Sequence, residues 1–102
     1  MFIKKRIQIR NPQGLHARPA SIFVRLANKF ESEVLVKKDS ENVNGKSIMG
    51  LLTLAANQGS VIEIEVSGPD AEEAMKSLED FLLSDKEDYG SSSPGRKEKG
   101  SK

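Results

Sequence analysis

The chain contains one histidine, His16, and the residues around it favour the binding of an anion. Residues 14–20 have the sequence GLHARPA, and a helix is predicted to begin beside the histidine. A helix start offers backbone N–H groups that lack intrahelical partners and a partial positive charge, so it attracts anions. A neutral imidazole is a nitrogen nucleophile near physiological pH. The segment therefore indicates a histidine that accepts a phosphoryl group and passes it on.

Three neighbours of His16 are residue types that suit this role. Arg18 can offset the roughly two negative charges of a protein-bound phosphate. Gly14 lets the backbone bend tightly before the site, and the short Ala17 leaves space for an approaching protein. The alternative is a histidine that only caps a helix or fills a surface gap, and the residue types near His16 leave both interpretations open.

Ser47 is the second residue that could do chemistry, and it has two interpretations. It is predicted to cap the start of a short helix, and this structural role alone accounts for a serine there. Alternatively, it is a site of regulatory phosphorylation, because added charge at a helix start is tolerated by the fold but repels acidic partners. Lys46 beside it is a candidate contact for a phosphate or for an acidic partner.

The short helix after Ser47 has apolar residues on more than one side. Its predicted buried stripe consists of Ile48, Leu51, Leu54 and Ala55. Met49 and Leu52 point away from that stripe, which indicates either deeper burial or an exposed docking patch. Methionine suits a surface that meets several partners because its side chain repacks easily.

Composition limits the classes of function. The chain has 102 residues, of which 36% are hydrophobic and 30% charged, and this fits one small globular domain. The net charge of +1, with no aromatic residues interleaved among the basic ones, predicts no nucleic-acid partner. The absence of cysteine excludes disulfides and thiolate catalysis, and a single histidine argues against a zinc site. We therefore expect no bound metal.

The sequence also lacks the usual signals for nucleotides and membranes. Residues 45–47 are Gly-Lys-Ser, but a phosphate-binding loop requires glycine where Ser40 stands, so we expect no cofactor and no use of ATP by the chain itself. No apolar run approaches the roughly 20 residues of a membrane span. The basic start is not followed by a long apolar stretch, as a signal peptide would require. We expect a cytoplasmic protein without membrane insertion.

Hydrophobic periodicity predicts the elements that position these residues. A period of two predicts strands over residues 3–9 and 61–66, an apolar run predicts one over residues 34–36, and residues 42–44 are a candidate for a short strand between them. Helical spacing predicts helices over residues 18–28, 48–56 and 71–82, and the spacing of Asp70 and Glu73 predicts a capping box before the last one. The order is β-α-β-β-α-β-α. Each strand has one apolar face, so the sheet is expected to pack on the helices with one face and meet water with the other.

The composition changes near residue 84. Residues 90–102 contain no apolar side chain that could be buried. We therefore expect a folded domain over residues 1–83 and a disordered polar tail over residues 84–102.

Two segments resemble the HPr family, the histidine-containing phosphocarriers of the bacterial phosphotransferase system. The segment GLHARPA, residues 14–20, resembles the family's active-site signature, and NGKSIMGLL, residues 44–52, resembles its regulatory-serine segment. The resemblance covers about residues 2 to 83. It implies an α+β open-faced β-sandwich, with a four-stranded antiparallel sheet and three helices on one face.

The resemblance also implies a function and its partners. Enzyme I, charged by phosphoenolpyruvate, would phosphorylate His16 on Nδ1, and Arg18 would assist the phosphoryl group. The group would then pass to enzyme IIA domains of sugar transport systems. Ser47 would be the target of an HPr kinase/phosphorylase. The protein would be a monomeric carrier rather than an enzyme that acts alone.

The family's docking surface maps onto residues beside the histidine. Its members here are Ala17, Ser21, Arg25, Ile48, Met49 and Leu52. Two related functions stay open at this point: a carrier of the nitrogen-related branch, and a purely regulatory protein controlled through Ser47. A stand-alone enzyme is poorly supported because no second acid or base accompanies His16.

Overall fold

The computed structural model describes residues 1–84, and the elements follow the order that the sequence predicts. They are β1 (Phe2–Gln8), α1 (Ala17–Ala27), β2 (Glu33–Lys38), β3 (Glu41–Asn44), α2 (Ile48–Leu54), β4 (Val61–Ser67) and α3 (Ala71–Leu83). The predicted tail, residues 84–102, lies outside the described residues apart from Ser84.

The four strands form one antiparallel sheet in the order β1-β4-β2-β3. β4 lies between β1 and β2: Ile62 pairs with Ile7 of β1, and Ile64 pairs with Val36 of β2. The three helices cover one face, with α3 against β1 and β4, and α2 against β2 and β3. This arrangement confirms the predicted open-faced sandwich.

The register places one alternating set of apolar residues of β1, β2 and β4 under the helices. Val36 and Ile64 are fully buried, as are Phe23 of α1, Leu51 of α2 and Phe81 of α3. The opposite face of the sheet carries charged side chains, including an ion pair of 2.7 Å between Lys37 Nζ and Glu65 Oε2. The period of two in the strands therefore separates the core from the open face.

The second helix differs from its prediction in length and in its buried side. α2 ends at Leu54 rather than at residue 56, because Ala55 adopts a left-handed conformation (φ 51°, ψ 42°) and terminates it. Ile48 is 40% exposed and Ala55 is also exposed, so both were wrongly assigned to the buried stripe. Leu51 and Leu54 alone of this helix are buried.

The predicted capping box at the start of α3 is wrong. Asp70 is the residue before the helix, but its side chain makes no capping bond. Its carboxylate instead accepts hydrogen bonds from the backbone N–H groups of Glu31 and Ser32, both at 2.9 Å, and from the hydroxyl of Ser32 at 2.6 Å. Asp70 therefore joins the start of α3 to the segment before β2.

Candidate functional site

His16 is the residue immediately before α1, and its side chain is exposed. Its backbone is extended (φ −87°, ψ −164°), and its side chain makes no capping bond. The first intrahelical bond runs from Ala20 N–H to the His16 carbonyl at 2.8 Å. Pro19 lies within the first turn, where its missing N–H costs nothing. The imidazole is therefore held beside the positive end of an 11-residue helix.

The imidazole has one partner that the sequence did not predict. Nε2 of His16 lies 2.9 Å from Oδ1 of Asn57, at hydrogen-bond distance. Asn57 lies 41 residues further along the chain, and the sequence indicated only a turn there. No local pattern distinguishes a turn asparagine that faces a distant histidine from one that faces water.

The segments that carry His16 and Asn57 are bonded to each other. Leu15 N–H donates to the Ala56 carbonyl at 2.8 Å, and Gly59 N–H donates to the Ile9 carbonyl at 2.8 Å. Gly14 has φ +64°, and a Cβ on it would lie 2.6 Å from the Ala56 carbonyl oxygen. Glycine is therefore needed for the close approach of the β1–α1 loop to the turn after α2.

The other predicted residues of the first motif lie on α1. Ala17 and Arg18 are exposed in its first turn, Ser21 is partly exposed, and Arg25 is exposed in the last turn. Positions 18, 21 and 25 share one side of a helix because they are three and four residues apart. The structure thus brings these residues onto a surface that begins at the histidine.

Ser47 caps α2, as the sequence predicts. Its hydroxyl oxygen accepts a hydrogen bond from Gly50 N–H at 3.0 Å, and the residue is partly exposed. Lys46 Nζ donates to the Phe30 carbonyl at 2.8 Å, so its ammonium group is bonded to the segment after α1. The start of α2 is therefore tied to the chain that follows α1.

An apolar patch lies on the exposed side of α2. Met49 is 73% exposed, Ile48 40% and Leu52 37%. Leu52 lies three positions after Met49 and four after Ile48, so its side chain adjoins both on the helix surface. Asn57 follows α2 closely, so the apolar patch and the partner of the His16 ring belong to one continuous segment. α1 also packs against α2.

Residues 1–84 contain no helix long and apolar enough to cross a membrane. Within the same residues, no group of three or more His, Cys, Asp or Glu side chains is placed to hold a metal ion.

The fold and the site together define a class of protein. An open-faced sandwich that exposes a histidine at the start of its first helix and an apolar patch on its second suits a small phosphoryl carrier. A family model described as "PTS HPr component phosphorylation site" matches residues 3–84. The chain therefore belongs to the HPr family, the phosphocarriers of the phosphotransferase system.

Individual relatives agree with this assignment. A phosphocarrier protein HPr of Neisseria meningitidis is 51% identical over 81 residues, which are 79% of this chain and 91% of the relative. The HPr-like protein Crh of Halalkalibacterium halodurans is 45% identical over 79% of this chain and 96% of the relative. The crystal structure of an HPr from Bacillus anthracis has a TM-score of 0.77 at 44% identity, covering 79% of this chain and 96% of that one.

Proposed function

We propose that this phosphocarrier accepts a phosphoryl group on Nδ1 of His16 from enzyme I, which phosphoenolpyruvate charges, and passes it to enzyme IIA domains of sugar transport systems. The observation that carries the proposal is the exposed imidazole at the start of α1. Its side chain does not cap the helix, so the ring is accessible to both a phosphoryl donor and an acceptor.

The helix start and Arg18 supply the electrostatic part of the reaction. Phosphoryl transfer requires in-line geometry and stabilisation of negative charge more than it requires acid or base groups. The N-terminus of α1 attracts an anion at His16, and the Arg18 side chain in the same turn adds a full positive charge. The partner protein supplies the other half of the geometry.

The apolar patch of α2 and the exposed side of α1 form the proposed docking surface. Its members are Ile48, Met49 and Leu52 of α2 and Ala17, Ser21 and Arg25 of α1. A carrier must release each partner quickly, so a small interface between a monomeric carrier and each partner is expected.

Ser47 is the proposed regulatory site, modified by an HPr kinase/phosphorylase. Its hydroxyl lies at the start of α2, next to Ile48 at one end of the apolar patch. A phosphate there would place negative charge against any acidic partner that docks on the patch. Regulation would then act on docking and not on the histidine itself.

The decisive experiment incubates the full chain with phosphoenolpyruvate and purified enzyme I, from either the sugar or the nitrogen-related branch. We expect an acid-labile phosphate on the wild-type chain and none on His16→Ala, with faster labelling by the sugar-branch enzyme. Absence of labelling by both enzymes contradicts the proposal. Subsequent addition of enzyme IIA should remove the phosphate from the carrier.

A further inference from the structure

We propose that Asn57 is a positioning residue for phosphoryl transfer, because its side-chain oxygen holds the Nε2–H group of His16 and thereby presents Nδ1 as the nucleophile. This inference rests on the proposed function, since it specifies how the same histidine is prepared for the reaction. It adds a residue that lies outside both sequence motifs.

The chemistry of the two side chains fixes the position of the proton. An amide oxygen only accepts hydrogen bonds, and a neutral imidazole carries one N–H group. Because Nε2 of His16 lies 2.9 Å from Oδ1 of Asn57, the proton of the neutral ring resides on Nε2. The lone pair that can attack phosphorus therefore resides on Nδ1.

Backbone bonds hold Asn57 in place for this contact. Its N–H donates to the Ser60 hydroxyl at 3.0 Å, and its carbonyl accepts from Ser60 N–H at 3.0 Å. The preceding carbonyl, that of Ala56, accepts from Leu15 N–H at 2.8 Å. Leu15 precedes His16 and Ala56 precedes Asn57. This backbone bond therefore joins the two chain segments directly beside the contact between the His16 and Asn57 side chains. A side chain that must keep one orientation requires such support.

The bond should also strengthen during the reaction. Nδ1 forms a bond to phosphorus while the bond from phosphorus to the donor protein breaks, and the electron pair of that bond leaves with the donor. Nε2 keeps its proton throughout, so the ring gains positive charge as the new bond forms. The hydrogen bond from Nε2–H to Asn57 then becomes charge-assisted, which stabilises the transition state more than the ground state.

Two variants of Asn57 and one control test the proposal. Asn57→Ala should slow phosphorylation by enzyme I roughly two- to tenfold, the range for one lost hydrogen bond. Asn57→Asp should shift the pH profile of phosphorylation to higher pH, because a carboxylate favours the protonated ring, which is not nucleophilic. Gln58→Ala removes a bond of 3.1 Å to the Arg10 carbonyl between the same two segments and should leave the profile unchanged.

A second measurement reads the proton position directly, without any phosphoryl donor. In protein with ¹⁵N-labelled histidine, long-range ¹H–¹⁵N correlations should show Nε2 protonated and Nδ1 unprotonated in the wild type. In Asn57→Ala they should show a mixture of the two tautomers, with Gln58→Ala like the wild type. A wild type with its proton on Nδ1, or Asn57→Ala and Gln58→Ala with identical spectra and rates, overturns the inference. Failure of enzyme I to label the wild type overturns the proposed function instead.

Discussion

Gly14 illustrates how one residue sets the position of the site. Its positive φ favours glycine, and its Cα lies so close to the Ala56 carbonyl and Asn57 that no side chain fits. These two requirements are separable in this chain, because Gly59 has φ +92° but a Cβ added there would meet no heavy atom within 4 Å. The pair therefore allows backbone strain to be measured apart from steric overlap.

Gly14→Ala is expected to destabilise the fold more than Gly59→Ala. The left-handed backbone costs an alanine about 1–2 kcal/mol at either position. At Gly14 the overlap with the Ala56 carbonyl adds about 1–3 kcal/mol. Urea unfolding of both variants measures the difference in the free energy of unfolding. Equal losses in the two variants would show that the close approach to Ala56 is not a constraint.

The carboxyl group of Asp70 makes the stability of the fold depend on pH. The hydroxyl of Ser32, followed by the N–H of Glu31, holds the pKa of the Asp70 carboxyl below its usual value, because both donate to the ionised form. A carboxyl group whose pKa is lower in the folded state than in the unfolded chain stabilises the fold at pH values above its pKa in the unfolded chain. That contribution disappears as the pH falls through the folded pKa.

Replacing Asp70 by Asn should therefore lower stability at neutral pH and flatten its decline in acid. We expect the melting temperatures of wild type and Asp70→Asn to converge as the pH falls below the usual range for aspartate, since the wild type loses the same charge. Asp80→Asn is the control, because Asp80 is exposed and its one ion pair within residues 1–84 is with Lys76, at 3.5 Å. A constant difference between wild type and Asp70→Asn at every pH would contradict this assignment.

At the scale of elements, α2 combines a structural cap with a docking surface, and the two roles of Ser47 can be separated. Asp and Asn both replace serine as helix caps at little cost. Ser47→Asp and Ser47→Asn should therefore unfold close to the wild type, whereas Ser47→Ala should lose about 0.5–2 kcal/mol. Only Ser47→Asp adds negative charge, so it alone should slow the phosphorylation of His16 by enzyme I. Equal rates for Ser47→Asp and Ser47→Asn would argue against charge control of docking.

Docking on the apolar patch of α2 can be tested by a substitution that leaves the fold intact. Met49 is 73% exposed, so Met49→Ala should change stability by less than about 0.5 kcal/mol. If the patch docks partners, the same substitution should raise the KM of enzyme I for the carrier about fivefold, as expected for an interface residue worth about 1 kcal/mol. Leu83, which is 42% exposed at the end of α3, is the matched control. Similar KM values for Met49→Ala and Leu83→Ala would contradict docking on α2.

The elements themselves were predictable, and the bonds between them were not. Alternation in β4 and helical spacing in α3 reflect burial of one face, so the periodicity of the sequence carries that information. The contacts of Asp70 with Ser32 and of Asn57 with His16 join residues 38 and 41 positions apart. The spacing of Asp70 and Glu73 allowed a capping box, but the Asp70 carboxylate instead accepts hydrogen bonds from two backbone N–H groups and one hydroxyl before β2. Such choices depend on tertiary geometry that local spacing does not encode.

For the whole molecule, the described residues form a closed core that ends with α3. Phe81 and Leu82 are fully buried, and the Leu82 carbonyl accepts from Arg10 N–H at 2.8 Å and from Asn11 N–H at 3.3 Å. The end of α3 thus holds the loop that leads to His16. Leu83 is already 42% exposed, so among the described residues the buried side chains of α3 end at Leu82.

A chain that ends after Ser84 should therefore unfold at the same urea concentration as the full chain and accept phosphate from enzyme I at the same rate. A chain that ends at residue 80 should not fold, because it loses two buried side chains worth about 3 kcal/mol each. It also leaves the N–H groups of Arg10 and Asn11 without their acceptor, and the total stability of such domains is only about 5–15 kcal/mol. Circular dichroism during urea unfolding distinguishes the three chains. If removal of residues 85–102 lowered stability by more than about 1 kcal/mol, the proposed boundary between domain and tail would have to move toward the C-terminus.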